Sequence, residues 1–265
     1  MLLTMILFAM VFFGNRAYFQ ATHYEKSTAS LVEQMSAKKL AEFQLKEIAE
    51  TFSLGFYTND KKKNIEILKK TGEEYKKRSQ EETIYFILLL LGILGSYFLL
   101  SLRAFTFFGA IAAFITLVFG LITPILMVTI HKEVEYLGDV ALSFESKGVV
   151  GSISKLFENG DVVVALVILL FSVLIPIVKT LSLAFVSVFM KNKSAHGVVK
   201  FFKMIGKWSM VDVFVVATFL VYLTVDKGDV SRAEVEVGLY FFLAYVIVSM
   251  FVSLSADKML HRLRG

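Results

Sequence analysis

The chain of 265 residues contains no cysteine, only two prolines and a single tryptophan. The first absence excludes disulfides, cysteine zinc sites, cysteine-ligated iron–sulfur clusters and thiol catalysis. Its four histidines, His23, His131, His196 and His261, are scattered and lie outside the apolar runs, so they suggest no metal site. There is no phosphate-binding glycine loop, no zincin helix and no convincing pairing of a nucleophile with a base. Conventional enzyme catalysis is therefore not expected, and no cofactor is implied. Charge is also scarce. Charged residues make up 19% of the chain and are clumped, whereas 56% of residues are hydrophobic and 26 are Phe. Mean hydropathy is +0.68. This composition rules out a soluble enzyme, a secreted disulfide scaffold and a disordered chain. The net charge of +5 does not require nucleic acid as a partner, because membrane proteins retain Lys and Arg in their cytoplasmic loops.

The apolar residues fall into runs long enough to cross a bilayer. A crossing helix needs roughly 20 such residues, at about 1.5 Å of rise each through about 30 Å of hydrocarbon. Six segments qualify: Met1 to about Phe13, extending to Phe19, then Ile84–Leu102, Phe105–Ile130, Val162–Met190, Trp208–Val225 and Val237–Leu254. The first lacks a basic leader and a small-residue cleavage motif, so it reads as a retained anchor rather than a signal peptide. Arg103 is the only strong charge between the second and third spans, which makes that link a tight hairpin.

The basic residues set the expected orientation. The linker 191–207 holds Lys191, Lys193, Lys200, Lys203 and Lys207 and no acid, and Lys258, Arg262 and Arg264 follow the last span. The loops after the third and fifth spans are mixed or acidic. The positive-inside rule then places the linker and both termini in the cytoplasm, with residues 20–82 outside. Lys61 to Lys63, Lys69, Lys70 and Lys76 to Arg78 oppose this placement, and Glu66, Glu73, Glu74, Glu81 and Glu82 lie among them.

Residues 25–56 have helical periodicity through Leu31, Met35, Ala41, Leu45, Ile48 and Phe52. Gly55 to Asp60 reads as a turn, with Asn59 or Asp60 as cap, and residues 61–82 as a second helix. Together they predict a helical hairpin standing on two membrane helices, serving as a spacer or as a docking and sensing arm. Dimerisation would turn it into a four-helix bundle. In the loop 131–160, Val140, Leu142 and Phe144 alternate with Ala141, Ser143 and Glu145. Val235 and Val237 alternate similarly. A small sheet joining the two outer loops is expected, with a short helix at Ser152–Phe157.

Polar residues inside the spans carry the functional signal, because ionisable groups in hydrocarbon are costly. Lys179 lies twelve residues before Lys191, about 18 Å from the helix end by rise alone. Ser172, Lys179 and Ser182 share a helical face, and Pro176 introduces a kink by removing one backbone donor. On the third span Gly109, Thr116, Gly120 and Thr123 share a face just before Pro124. Ser249 and Ser253 do so on the last span. The fifth span offers Asp212 near its cytoplasmic end and Thr218 deeper, about level with Lys179. A hydrated network linking Lys179 to Asp212 is expected rather than a direct ion pair. Ser, Thr and Gly on one face also serve as ordinary packing glue. Asp212 alternatively caps or orients the linker, and Trp208 reads as an interfacial anchor.

Several blocks carry a resemblance. These are Gly160-Asp161; Ile175-Pro176-Ile177-Val178-Lys179; Gly206-Lys207-Trp208-Ser209-Met210-Val211-Asp212-Val213-Phe214-Val215-Val216-Ala217; Gly238-Leu239-Tyr240-Phe241-Phe242; and Ser255-Ala256-Asp257. In order and spacing they resemble one four-helix module of the paraquat-inducible protein A family of PqiA- and LetA-like inner-membrane proteins. The resemblance covers roughly residues 104–258. It implies an inner membrane of Gram-negative type and a partnership with MCE-domain proteins that carry lipid. It also implies an intramembrane polar network at Lys179, Ser172 and Asp212, with Ser249 or Ser253 supplying a hydroxyl. Family members commonly carry cysteine-rich zinc ribbons and two tandem modules, whereas this chain has no cysteine and one module.

The expected architecture is an all-α polytopic membrane protein of about six transmembrane helices. Residues 1–103 form two membrane helices flanking the hairpin (about 22–82), residues 104–258 the four-helix module and 259–265 a cytoplasmic tail. The expected function is a non-enzymatic subunit for lipid transport. Its network comprises Lys179, Asp212, Ser172, Ser182, Thr123, Thr218, Ser249 and Ser253, with kinks at Pro124 and Pro176. Membrane lipids, an MCE-domain protein and a second copy of the chain are the expected partners. The alternative is a membrane sensor or signalling adaptor that uses the hairpin as its input.

Overall fold

The computed structural model describes residues 1–35, 60–134, 138–188 and 231–262. Within them, five helices are long and apolar enough to cross a membrane. The predicted fifth span, Trp208–Val225, lies outside the described residues, as do the 191–207 linker and residues 36–56 of the predicted hairpin helix.

Helix α1 (Leu2–Gln34) runs without a break from apolar into charged sequence, and α2 (Asp60–Gly95) from charged into apolar sequence. At 33 and 36 residues, they extend well beyond the roughly 20 residues a bilayer requires. The predicted second helix at 61–82 is therefore the leading half of α2. Residues 25–34 likewise continue α1 instead of starting a new helix. The two helices pack along their lengths, tied by an ion pair from Arg16 to Glu82 at 2.8 Å. A 3₁₀ turn, Ser96–Phe98, ends the second span.

Helix α3 (Leu102–Ile122) begins at Ser101, whose side chain accepts from the Ala104 amide at 3.3 Å. It ends eight residues before the Ile130 expected from hydropathy. The reason is local. A residue before proline is driven out of the helical region, and Thr123, preceding Pro124, is extended at φ −80° and ψ 144°. The apolar residues that follow enter strand β1 (Leu126–Val134) instead of prolonging the helix. Strand β2 (Gly138–Lys147) returns antiparallel, with a register shift between Ile130 and His131. Strand β3 (Ser231–Val235), from the other loop, pairs antiparallel with the free edge of β1. The order β2-β1-β3 gives the three-stranded sheet expected to join the two loops.

Helix α4 (Val149–Glu158) contains the short helix expected at Ser152–Phe157 and is somewhat longer. Gly160 then turns the chain with φ +87°, a conformation that favours glycine. The next span is helical throughout but not uniform: α5 (Val162–Ile168) passes through a π-helical stretch, Leu169–Leu174, into α6 (Ile175–Val188). Pro176 explains the irregularity, because it cannot donate to the carbonyl four residues back at Ser172. Helix α7 (Val237–His261) closes the bundle.

Van der Waals packing holds such helices together in lipid, so small residues mark the close approaches. A Cβ on Gly120 would stand 2.9 Å from the Phe242 backbone nitrogen, and one on Gly109 2.7 Å from a Val252 methyl. These glycines belong to the small-residue face predicted on the third span, and both contacts are with α7. Phe86, Phe119 and Phe241 form a buried aromatic cluster that joins α2, α3 and α7, with Phe86 and Phe241 edge-to-face at 4.8 Å.

Candidate functional site

Lys179 lies nine residues from the described end of α6 and is only 8% exposed. Helical phase brings its side chain inward with Thr180, Leu183, Val186 and Ser187, while Val178, Leu181 and Phe185 face outward. Its ammonium donates to the Ser249 hydroxyl on α7 at 3.5 Å. Ser249 donates its own proton to the Val246 carbonyl at 3.0 Å. That leaves only oxygen lone pairs toward Lys179, the arrangement a cation needs.

One turn from this contact, α6 and α7 are joined again. Tyr245 donates to the Pro176 carbonyl at 3.2 Å, Thr180 donates to the same oxygen at 2.8 Å, and the two hydroxyls are 3.3 Å apart. The amine thus stands on a short polar strip that crosses between two membrane helices. Sequence reasoning missed Thr180 and Tyr245. Thr180 follows Lys179 directly and could have been found by helical phase; Tyr245 precedes Ser249 by one turn on the same face.

The other predicted residues are distributed around this strip. Ser172 and Ser182 are half-buried on the Lys179 helix, and Ser253 is half-buried one turn beyond Ser249. Thr123 is fully buried, and its hydroxyl finds no hydrogen-bond partner among the described residues. It lies at the sheet end of α3, beside Pro124, and no hydrogen bond joins it to Lys179. Asp212, Thr218 and Trp208 lie outside the described residues.

Ser172 also lines a cavity of about 470 Å³ between α4, the π-helical stretch and α7. Ile168, Leu239 and Phe242 form its apolar wall. Lys155 and Glu145, paired at 2.8 Å, border it toward the sheet. The cavity therefore has a charged side and an oily side, the combination that accommodates an amphiphile.

Both ends of the bundle carry polar fastenings. At one end Arg103 donates from Nε to the Ser187 carbonyl at 2.9 Å and from a terminal guanidinium nitrogen to the Val188 carbonyl at 3.0 Å. These carbonyls lie in the last described turn of α6. At the sheet end, Glu234 of β3 accepts from Tyr24 of α1 at 2.8 Å and from Lys76 of α2 at 2.6 Å. Glu236, two residues on, is 2% exposed, and its Oε1 has no partner among the described residues. Burial pushes this carboxyl up to about 8; Lys76 opposes the shift, and Glu234 and Glu25 add to it.

Among the described residues no group of three or more His, Asp or Glu side chains could hold a metal ion. Five candidate spans, a capping sheet and polar contacts inside the bundle define a polytopic α-helical membrane protein. Within that class, the pattern of PqiA, paraquat-inducible protein A, matches residues 104–261, and the chain belongs to this family. It is similar to the intermembrane transport protein PqiA of Escherichia coli K12, with 27% identity over 118 residues. That match covers 42% of this chain and 28% of the relative's length. The proteins of the same name from Escherichia coli O6:H1 and Shigella flexneri match equally. No solved structure matches.

Proposed function

We propose that the chain is a multi-pass subunit of the inner membrane that moves lipid without enzymatic turnover, loading or receiving it for an MCE-type carrier. The observation that carries this reading is the Lys179–Ser249 contact, an ammonium retained among membrane helices. Such a charge at a span centre costs about 2.5–3.5 kcal/mol, and a solvated surface position would avoid that cost. A lipid in transit presents a charged head group and apolar tails. Lys179 offers a cation for an anionic head group, or a group that changes protonation as the path hydrates. Ser172, Ser182 and Ser253 extend the polar face, Asp212 belongs to it by family resemblance, and Thr218 by its depth along the fifth span. The amphiphilic cavity beside Ser172 supports the same reading, as does the name of the relatives, intermembrane transport protein.

The test is native mass spectrometry on the protein released from native-like discs, with phospholipid as the scored adduct. The wild-type chain is expected to retain phospholipid, and Lys179→Met to lose at least about tenfold of it, equivalent to about 1.4 kcal/mol. Equal retention by both, at equal folding, contradicts the role of the amine. The MCE partnership is tested separately, by co-purification with a co-expressed MCE-domain protein; absence of a complex overturns that part.

A second reading has one observation in its favour. The projecting ends of α1 and α2 contact β3 through Glu234, a geometry that suits a sensor arm. Deleting residues 25–80 distinguishes the two: retained lipid movement with a lost stress response favours the sensor.

A further inference from the structure

Glu236 stands at the junction of β3 and α7, within a ring of charged and polar groups from other elements. Its backbone nitrogen donates to the Ile125 carbonyl at 2.8 Å, so the main chain is fixed while the carboxyl points into the interior. The titratable groups facing it are Tyr24 and Glu25 of α1, Lys76 of α2 and Glu234 of its own strand. Tyr24 and Lys76 already converge on Glu234. The carboxyl of Glu236 is left buried with an oxygen unsatisfied among the described residues. An ionised carboxylate in that position is unfavourable, whereas a protonated one is tolerated.

We propose that Glu236 is a proton-binding site that sets how firmly the projecting ends of α1 and α2 are docked on the outer sheet. This goes beyond the lipid reading and does not depend on it. With the proton on, the buried carboxyl is neutral and the contacts of Tyr24 and Lys76 with Glu234 close over it. With the proton off, a second negative charge appears beside Glu234, and hydration of that charge favours separation of the helix ends from β3. The docked state holds the proton more tightly than the released state. Docking is therefore strongest below the ordinary carboxyl value of 4.5, weakens as pH rises toward about 8, and levels off above it.

The chain contains no cysteine, so spin labels can be placed uniquely. Labels at Gln80→Cys on α2 and Glu158→Cys on α4, both exposed, report the separation of the helix ends from the sheet side by pulsed dipolar EPR. In the full-length protein in lipid discs, the distance distribution is expected to be narrow at pH 5 and to gain a longer component by pH 9. Glu236→Gln is expected to keep the narrow distribution at every pH. Glu25→Gln, a milder change that removes one like charge, makes ionised Glu236 easier to hold in the docked state and is expected to reduce the longer component gained by pH 9. A wild-type distribution that is unchanged between pH 5 and 9, or that lengthens on acidification, overturns the proposal. So does a Glu236→Gln protein that opens as the wild type does. If Glu236→Gln does not fold, a Glu25→Gln protein that gains as much of the longer component by pH 9 as the wild type overturns it.

Discussion

Ser249 donates its only proton to Val246 and meets the Lys179 ammonium with lone pairs alone. Ser249→Ala is therefore expected to lower thermal stability by about 1.5–3 kcal/mol, because the buried ammonium loses one of its hydrogen bonds. Lys179→Met is expected to behave differently: it fills the same space without charge, so stability is kept or gained while lipid movement is lost. Thermal unfolding in discs and lipid transfer, measured on the same preparations, check this divergence. Tyr245→Phe is a third residue-scale case. It removes the hydroxyl that donates to the Pro176 carbonyl at 3.2 Å and is expected to cost about 1 kcal/mol of stability. Lys179 and Ser249 were legible in the sequence because charge and hydroxyls are rare within apolar runs. Tyr245 was not, since an aromatic residue in a Phe-rich membrane helix carries no signal until its hydroxyl has a visible partner. Glu236 was hidden too, since an acidic residue bordering a span ordinarily reads as solvated.

At the scale of elements, boundaries depended on chemistry that hydropathy alone does not weigh. The third span looked continuous to Ile130, yet α3 stops at Ile122 because Pro124 forces Thr123 to be extended. The same extended stretch receives the start of α7, where Gly238 donates to the Pro124 carbonyl at 2.9 Å. A Cβ on Gly238 would lie 2.5 Å from both the Thr123 and Pro124 carbonyl oxygens, which are backbone atoms and cannot swing aside. Gly238→Ala is accordingly expected to destabilise by about 1–3 kcal/mol, read as a lowered unfolding temperature. Arg103 shows the converse. Hydropathy marked it as the lone charge of a hairpin, but its partners, the Ser187 and Val188 carbonyls, lie far away in sequence. Alternation did find the sheet, because period-two patterning stands out between helical spans. It could not fix the strand order β2-β1-β3 or the register, which depend on where the helices bring the two loops.

For the molecule as a whole, residues 104–261 match the family, while α1 and α2 lie N-terminal to the match. The two parts nonetheless share one core. Phe86 of α2 packs edge-to-face on Phe241 of α7, and Phe119 of α3 completes the cluster. Phe86→Ala is expected to cost about 3–5 kcal/mol and to loosen the N-terminal pair, detectable by faster hydrogen exchange in α1 and α2. Five of the six expected spans were legible because length and apolarity are whole-segment properties. How the N-terminal pair attaches was not, since the Glu234 contacts with Tyr24 and Lys76 join residues that sequence order keeps apart. The most direct measurement is transfer of labelled phospholipid from discs holding the protein to a soluble MCE-domain carrier, comparing wild type with Lys179→Met at matched folding. Wild-type transfer with at least about a tenfold loss in the variant, about 1.4 kcal/mol in the barrier, is the predicted result. Equal transfer by the two proteins would contradict a transport role for the buried amine.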